Sequence, residues 1–150
     1  MLEARSRARL QGGYPRLAEV VERAAELTPV RFVVTEGVRT VERQRQLVAQ
    51  GASQTMASRH ITGHATDLAA VMDGEIRWDW PLYPRIADAV REAASELGTP
   101  IVWGGAWGRL LNDVDSASEA MDAYVAERRA QGRRPFMDGP HFELAKDAYP

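Results

Sequence analysis

From Arg16 to Leu27 the apolar residues Leu17, Val20, Val21, Ala24, Ala25 and Leu27 recur at helical spacing, and Thr28-Pro29 closes the pattern. The β-branched run from Arg31 to Thr35 predicts a short buried strand. Thr40 suits the N-cap of a helix running through Gln50, because its hydroxyl can accept from a free amide of the first turn. Gly51 suits the residue just past that helix. The stretch from Ala52 to Thr62 is small and polar and reads as a loop. A second strand is predicted over Ala65 to Val71, followed by a tight turn at Asp73-Gly74 and a returning strand over Glu75 to Trp78. Leu82 to Leu97 is the clearest amphipathic helix, with Leu82, Ile86, Ala89, Val90, Ala93, Ala94 and Leu97 on one side and Gly98 as its stop. Pro100 to Trp103 predicts another strand. Ser116 to Gln131 predicts a helix capped by Asp115 or Ser116 and ended by Gly132, and His141 to Leu144 predicts a final strand. Helices and short strands intermix, yet the hairpin argues against a purely parallel sheet, so the expected class is α+β.

Composition narrows the possibilities. The chain has 150 residues, 45% hydrophobic and 27% charged. That suits one compact domain burying roughly 70% of the surface its unfolded chain exposes, and it is too apolar for disorder. Lys+Arg 19 against Asp+Glu 21 leaves a formal net charge of −2. Such a balance exerts no long-range pull on nucleic acid or an anionic membrane, and neither partner is expected. No apolar run approaches the ~20 residues of a membrane span. Arg5, Arg7 and Arg9 are followed by no apolar stretch, so the expectation is no signal peptide and synthesis in the cytoplasm. Cysteine is absent, which removes disulfides, thiolate metal sites and cysteine nucleophiles together.

A zinc site here has to be built from imidazole and carboxylate. The histidines are His60, His64 and His141. Two lie in the segment Ser58 to Asp67, and the third follows Asp138-Gly139-Pro140. The candidate ligands are therefore His60 or His64, Asp67 and His141. The i, i+4 spacing of His60 and His64 imitates a helical zinc motif, but Ile61 stands where a general base is needed and Thr62-Gly63 makes a poor helix interior. On a strand beginning at Ala65, His64 and Asp67 point to opposite faces, which favours His60 as the partner of Asp67. Asp138, three residues before His141, is the candidate proton acceptor. A carboxylate beside a metal can take the proton of an activated water and pass it to a leaving amine. Glu143, on the strand face of His141, is the second candidate base. Arg39, between a strand and a helix cap, is placed to clamp a substrate carboxylate in bidentate fashion or steady an oxyanion. Trp103 and Trp107 flank Gly104-Gly105 and suit a substrate groove. The plainer roles are a turn at Asp138-Gly139, a cap at Asp67 and core packing for the indoles.

The pattern Ser58-x-His60-x-x-Gly63-x-Ala65-x-Asp67, followed by Asp138-x-x-His141-Phe142-Glu143, resembles the zinc D-Ala-D-Ala carboxypeptidase and L-alanyl-D-glutamate endopeptidase superfamily. Within it the chain is similar to the small bacteriophage endolysins that cut L-Ala–D-Glu bonds. Thr35-Glu36-Gly37-Val38-Arg39-Thr40, the run from Gln50 to His60, Trp103-Gly104-Gly105, Arg9-Leu10-x-Gly12 and Pro15-x-Leu17 extend the resemblance over nearly the whole chain. It implies an α+β domain with helices packed on a small, mainly antiparallel sheet carrying zinc, as in Hedgehog and D,D-peptidase domains. It implies His60, Asp67 and His141 as zinc ligands, Asp138 as catalytic acid/base, Arg39 as a substrate and oxyanion group, and Ser58 beside the substrate. His64 falls on a position the family varies. Two departures stand out. Ala106 occupies a position where many relatives carry Asp, and the stretch at about 108–135 forms a helical insertion beyond the short connection of compact relatives.

The expectation is then a single, monomeric zinc peptidase domain over 1–150 that hydrolyses the L-Ala–D-Glu bond of the peptidoglycan stem peptide. Its catalytic residues would be Asp138 and Arg39, its substrate-binding residues Arg39, Ser58 and Trp103, and its cofactor Zn2+. As an endolysin it would be made in the host cytoplasm and reach the wall after holin-type release. The alternatives are a D,D-carboxypeptidase or dipeptidase acting on D-Ala-D-Ala ends, and a non-catalytic zinc-stabilised wall-binding module, which has no need of Asp138.

Overall fold

The computed structural model describes residues 1–53 and 55–150; Gln54, within the run from Gln50 to His60, lies outside the described residues. Five strands form one sheet: β1 (Phe32–Glu36), β2 (Ala65–Met72), β3 (Glu75–Arg77), β4 (Ile101–Trp103) and β5 (His141–Leu144). Their order is β1-β2-β5-β4, with β3 also on β2, and each pairing is antiparallel. The eight residues of β2 serve two partners along one edge, Ala65 to Asp67 facing β5 and Ala70 to Met72 facing β3. The α+β class and the antiparallel sheet expected from the hairpin are what the chain forms. Its turn residues Asp73 and Gly74 have φ of 53° and 77°, the mirror-image turn whose twist matches the strands it joins.

The helices are α1 (Ala4–Leu10), α2 (Pro15–Leu27), α3 (Val41–Ala49), α4 (Tyr83–Leu97) and α5 (Ala117–Ala130), with short 3-10 turns at Trp80–Leu82 and Leu111–Asp113. The caps are those the sequence indicates. Thr40 Oγ1 accepts from the Arg43 amide at 3.0 Å, and Ser116 Oγ from the Glu119 amide at 3.1 Å. Period-two alternation puts Phe32, Val34, Leu68, Ala70, Ile101, Trp103, Phe142 and Leu144 in the core with the apolar sides of α2 and α4. Each large side chain so buried contributes about 1.5–3 kcal/mol. Asp67, His141 and Glu143 have the opposite parity and belong to the other face.

α1 lies outside the expected elements. It is seven residues long and has no amphipathic period to read; its anchors are polar. Ser6 Oγ accepts from the Val34 amide at 2.9 Å, and Arg9 Nη1 donates to the Val34 carbonyl at 2.7 Å. These bonds satisfy the free edge of β1, which would otherwise invite pairing with another chain.

Candidate active site

The site begins as a row across three strands. A register shift between Val34 and Glu36 sets Glu36 opposite Asp67, and Asp67 stands opposite His141 on β5. Directly opposed residues share a sheet face and lie ~5 Å apart. His60 enters from the loop before β2. Its Nδ1 meets the Gly37 carbonyl at 3.0 Å, and its amide donates to Ser58 Oγ at 3.2 Å. This leaves Nε2 at 3.2 Å from Asp67 Oδ1. His141 turns Nδ1 to the same oxygen, at 3.6 Å, while its Nε2 meets Glu143 Oε1 at 2.9 Å. The two imidazoles lie 5.1 Å apart at 73°. One nitrogen of each ring is thus engaged by an outer partner, which aims the other at Asp67, the usual device for orienting a metal-ligating histidine.

The donor atoms of His60, Asp67 and His141 all lie within 4.8 Å of one another. Asp67 Oδ1 is buried and makes no hydrogen bond among the described residues, although both imidazole nitrogens are near. Three donors that converge without bonding each other fit a shared cation, and two nitrogens with one carboxylate oxygen, leaving a position open, suit a catalytic metal. Burial by itself raises the Asp67 carboxyl, but His141 and His60 outweigh it and hold the group well below the usual carboxylate range. Burial likewise pulls the His141 imidazole down, and Asp67 and Glu143 on its two nitrogens push it up to about 9.

Asp138 is carried by the connection into β5, with Oδ2 at 4.0 Å from His141 Nδ1. Its amide donates to the Gly104 carbonyl at 2.9 Å, and the Gly104 amide donates to the His141 carbonyl at 2.8 Å. A Cβ at position 104 would collide with the Asp138 carbonyl, so only glycine lets the two backbones close to this distance. Burial and then the Asp67 charge push the Asp138 carboxyl up, against the pull of His141, His60 and Arg39. A carboxyl raised in this way by burial and a neighbouring charge is a candidate for acid/base work.

Arg39 corrects one expectation. Its Nε and Nη2 are held by the two Glu36 oxygens at 2.7 and 2.8 Å, and its Nη1 donates to Gln44 Oε1 at 2.8 Å and Ser58 Oγ at 3.4 Å. The side chain is only 9% exposed. The bidentate edge that would clamp a substrate carboxylate is therefore filled by Glu36, and Arg39 acts as a fixed positive charge 3.7 Å from Asp67 Oδ2. Neither Glu36 nor Gln44 was singled out from the sequence; the i, i+3 spacing of Glu36 and Arg39 across Gly37 was the available signal.

Trp103 is a second correction. It is 1% exposed, stacks on Phe142 and donates from Nε1 to the Gly139 carbonyl at 2.7 Å. It is core, and it supports the Asp138 connection from beneath instead of lining a groove. Trp107 is the indole beside the site, 5.4 Å from the His141 ring. Glu143 is a third. It lies behind His141 with Oε2 at 3.3 Å from Arg59 Nε, so it backs the imidazole and does not share a cavity with Asp138. His64 is buried against Tyr14 at 4.3 Å, with Nδ1 on Thr62 Oγ1 at 2.6 Å, apart from the cluster as strand parity requires.

A family model described as phage L-alanyl-D-glutamate peptidase matches residues 1–145. The L-alanyl-D-glutamate peptidase of Escherichia phage T5 is 37% identical over 97 residues, covering 62% of this chain and 71% of that protein. The crystal structure of the Serratia marcescens L-Ala D-Glu endopeptidase ChiX superposes with a TM-score of 0.76 at 39% identity, covering 98% of this chain and 91% of that one. The vancomycin-resistance D,D-dipeptidase VanXYg shares the fold at 19% identity, with a TM-score of 0.50 over 86% of this chain and 47% of that one. A family match of this extent, over a sheet that presents two histidines and an aspartate as one cluster, means that the chain belongs to the phage L-alanyl-D-glutamate peptidase family.

Proposed function

We propose that this chain is a zinc-dependent endopeptidase that hydrolyses the L-Ala–D-Glu bond of the peptidoglycan stem peptide. The observation that carries this is the convergence of His60, Asp67 and His141 on one point, with Asp138 beside them, in the fold of a family whose members bear that activity in their names. His60 Nε2, an Asp67 oxygen and His141 Nδ1 hold the metal. Zinc, when bound, supplies Lewis acidity toward the scissile carbonyl and makes water acidic enough to attack at neutral pH.

The chain's own residues do the rest. Asp138 takes the proton of the attacking water on its carboxylate and returns it to the D-Glu nitrogen as the bond breaks. Arg39, fixed by Glu36 and Gln44, contributes positive charge without spending its guanidinium edge on substrate. Ser58, whose Oγ accepts from the His60 amide and from Arg39 Nη1, flanks the substrate. The chain works as one catalytic domain with the 108–135 segment as a helical insertion. It acts as a monomer on the cell wall, after synthesis in the host cytoplasm and release through a holin-type pore.

The test is digestion of purified peptidoglycan with and without chelator, with fragments identified by mass spectrometry. New L-Ala C-termini matched by D-Glu N-termini, lost with chelator and restored by zinc, are expected. Free D-Ala would assign D,D-carboxypeptidase chemistry instead. Asp138→Ala is expected to keep its metal and lose about 10²–10⁴ in kcat; an active variant would remove Asp138 from the mechanism.

A further inference from the structure

Beside the metal cluster, reached across Trp107, is an open cavity of about 400 Å³. Trp107, Tyr124 and Phe136 supply its apolar wall, and Glu127, Arg128 and Gln131 its polar rim. Trp107 belongs to both places, since its ring lies 5.4 Å from His141 and 6.2 Å from Phe136. Two nitrogens of the lining, Trp107 Nε1 and Arg128 Nε, are buried and have no hydrogen-bond partner among the described residues. The Arg128 guanidinium meets no carboxylate among the described residues, so a lining cation is left for an acidic ligand to pair with. Arg128 Nη2 reaches the Arg134 carbonyl at 3.4 Å, while the charge of Glu127 is already met by Arg109. With Arg129, Arg133 and Arg134 close by in sequence, this corner is basic in a chain whose net charge is −2.

The substrate of the proposed reaction supplies such a ligand. When an L-Ala–D-Glu bond breaks, the proton from Asp138 goes to the D-Glu nitrogen, so D-Glu and the residues beyond it leave on the Asp138 side. Phe136, on the cavity wall, stands two residues before Asp138, which puts the cavity next to the Asp138 connection. D-Glu is linked onward through its side chain and keeps a free α-carboxylate; a diamino-acid residue at the next position can bring another. We propose that the cavity between α5 and Phe136 is the subsite for this acidic leaving half, with Arg128 pairing to a carboxylate and the Trp107 and Phe136 rings covering the aliphatic part. The inference rests on the L-Ala–D-Glu specificity proposed above. It gives the 108–135 insertion a task, because α5 and the segment after it provide Tyr124, Arg128 and Phe136.

The zinc-loaded enzyme is assayed on muramyl stem tetrapeptides carrying D-Glu or its α-amide at the second position and diaminopimelate or Lys at the third. Calorimetry measures binding of the leaving-side peptide γ-D-Glu-diaminopimelate. Expected is an increase in KM of about tenfold or more for R128Q on the carboxylate-bearing substrates, with kcat nearly unchanged. R128K keeps part of the affinity, and R128Q binds the free peptide more weakly by the same factor. A preference of wild type that R128Q loses only between D-Glu and its amide assigns the partner as the α-carboxylate; one lost only between diaminopimelate and Lys assigns the diamino acid. Wild-type cleavage with an R128Q that has unchanged KM and unchanged peptide binding overturns the subsite alone. A kcat loss equal on all substrates, with peptide binding intact, reduces Arg128 to a structural role and also overturns it. Failure of wild type to cut any of these substrates overturns the specificity and the subsite with it.

Discussion

Asp67 and His141 face each other across β2 and β5, so their separation is set by backbone pairing and needs no side chain to enforce it. Asp138 and Trp107 hang from connections, and their positions come from contacts that single residues make: Gly104 against the Asp138 backbone, Trp103 under Gly139, and Tyr124 on Phe136. The sheet side of the site is redundant, because many ladder hydrogen bonds hold it. The connection side is not. The Asp67–His141 pair, built on strands, and Asp138, built on a connection, can therefore be disturbed separately, and that separation is measurable.

Removal of a ligand has the largest expected effect. His141→Ala takes away a donor and the group that Glu143 orients, so zinc content and activity fall together to background while the antiparallel sheet persists. Metal analysis and far-ultraviolet circular dichroism check this; a fully metallated variant would overturn the ligand set.

The proton on His141 gives an intermediate effect confined to the sheet side. Its pKa is raised from 6.5 to about 9 in the metal-free protein. That protonated form stabilises the metal-free fold fully below pH 6.5, and the contribution fades as pH rises through about 9. Metal binding has the opposite sign, because the ligand must be neutral. Affinity should climb about tenfold per pH unit from neutrality to about pH 9 and then flatten, with one proton released from His141 on binding. Calorimetry in two buffers of different ionisation enthalpy reads the proton count, and a pH-independent affinity would show that His141 is not a ligand.

Tyr124→Phe is the mildest test and touches the connection side alone. Tyr124 Oη both donates to the Phe136 carbonyl and accepts from the Phe136 amide, each at 3.1 Å. Losing the hydroxyl leaves two backbone groups unmet and costs about 1–3 kcal/mol of local stability. The expected result is a severalfold lower kcat with unchanged zinc affinity. Equal falls in both would mean that the two sides are coupled.

What could be read from the sequence depended on the range of the interaction. Thr40, Ser116, Asp73-Gly74 and the apolar stripe of α4 act within a few residues of themselves, and their elements form where expected. Strand parity separated His64 from Asp67 before any contact was known. α1 escaped because Ser6 and Arg9 are bound to β1, a partner 25 or more residues away, and nothing local marks such a bond.

Trp103 and Trp107 show the same limit at the site. Both are indoles beside the Gly104-Gly105 pair, yet one is core and the other flanks His141, because burial depends on which face of the closed sheet each one meets. The i, i+3 spacing of Glu36 and Arg39 allowed their pairing, but the placement of that pair beside Asp67 needs the register shift in β1 that brings Glu36 opposite Asp67. By itself the sequence narrowed the candidate donors: in a chain with no cysteine and three histidines, parity favoured His60 over His64 beside Asp67, and the family resemblance implied His60, Asp67 and His141 together. The tertiary structure alone decided how those donors are oriented, through Gly37 behind His60 and Glu143 behind His141, and which indole stands at the site. Orientation is set by hydrogen bonds between segments far apart in the chain, and those exist only once the sheet has closed.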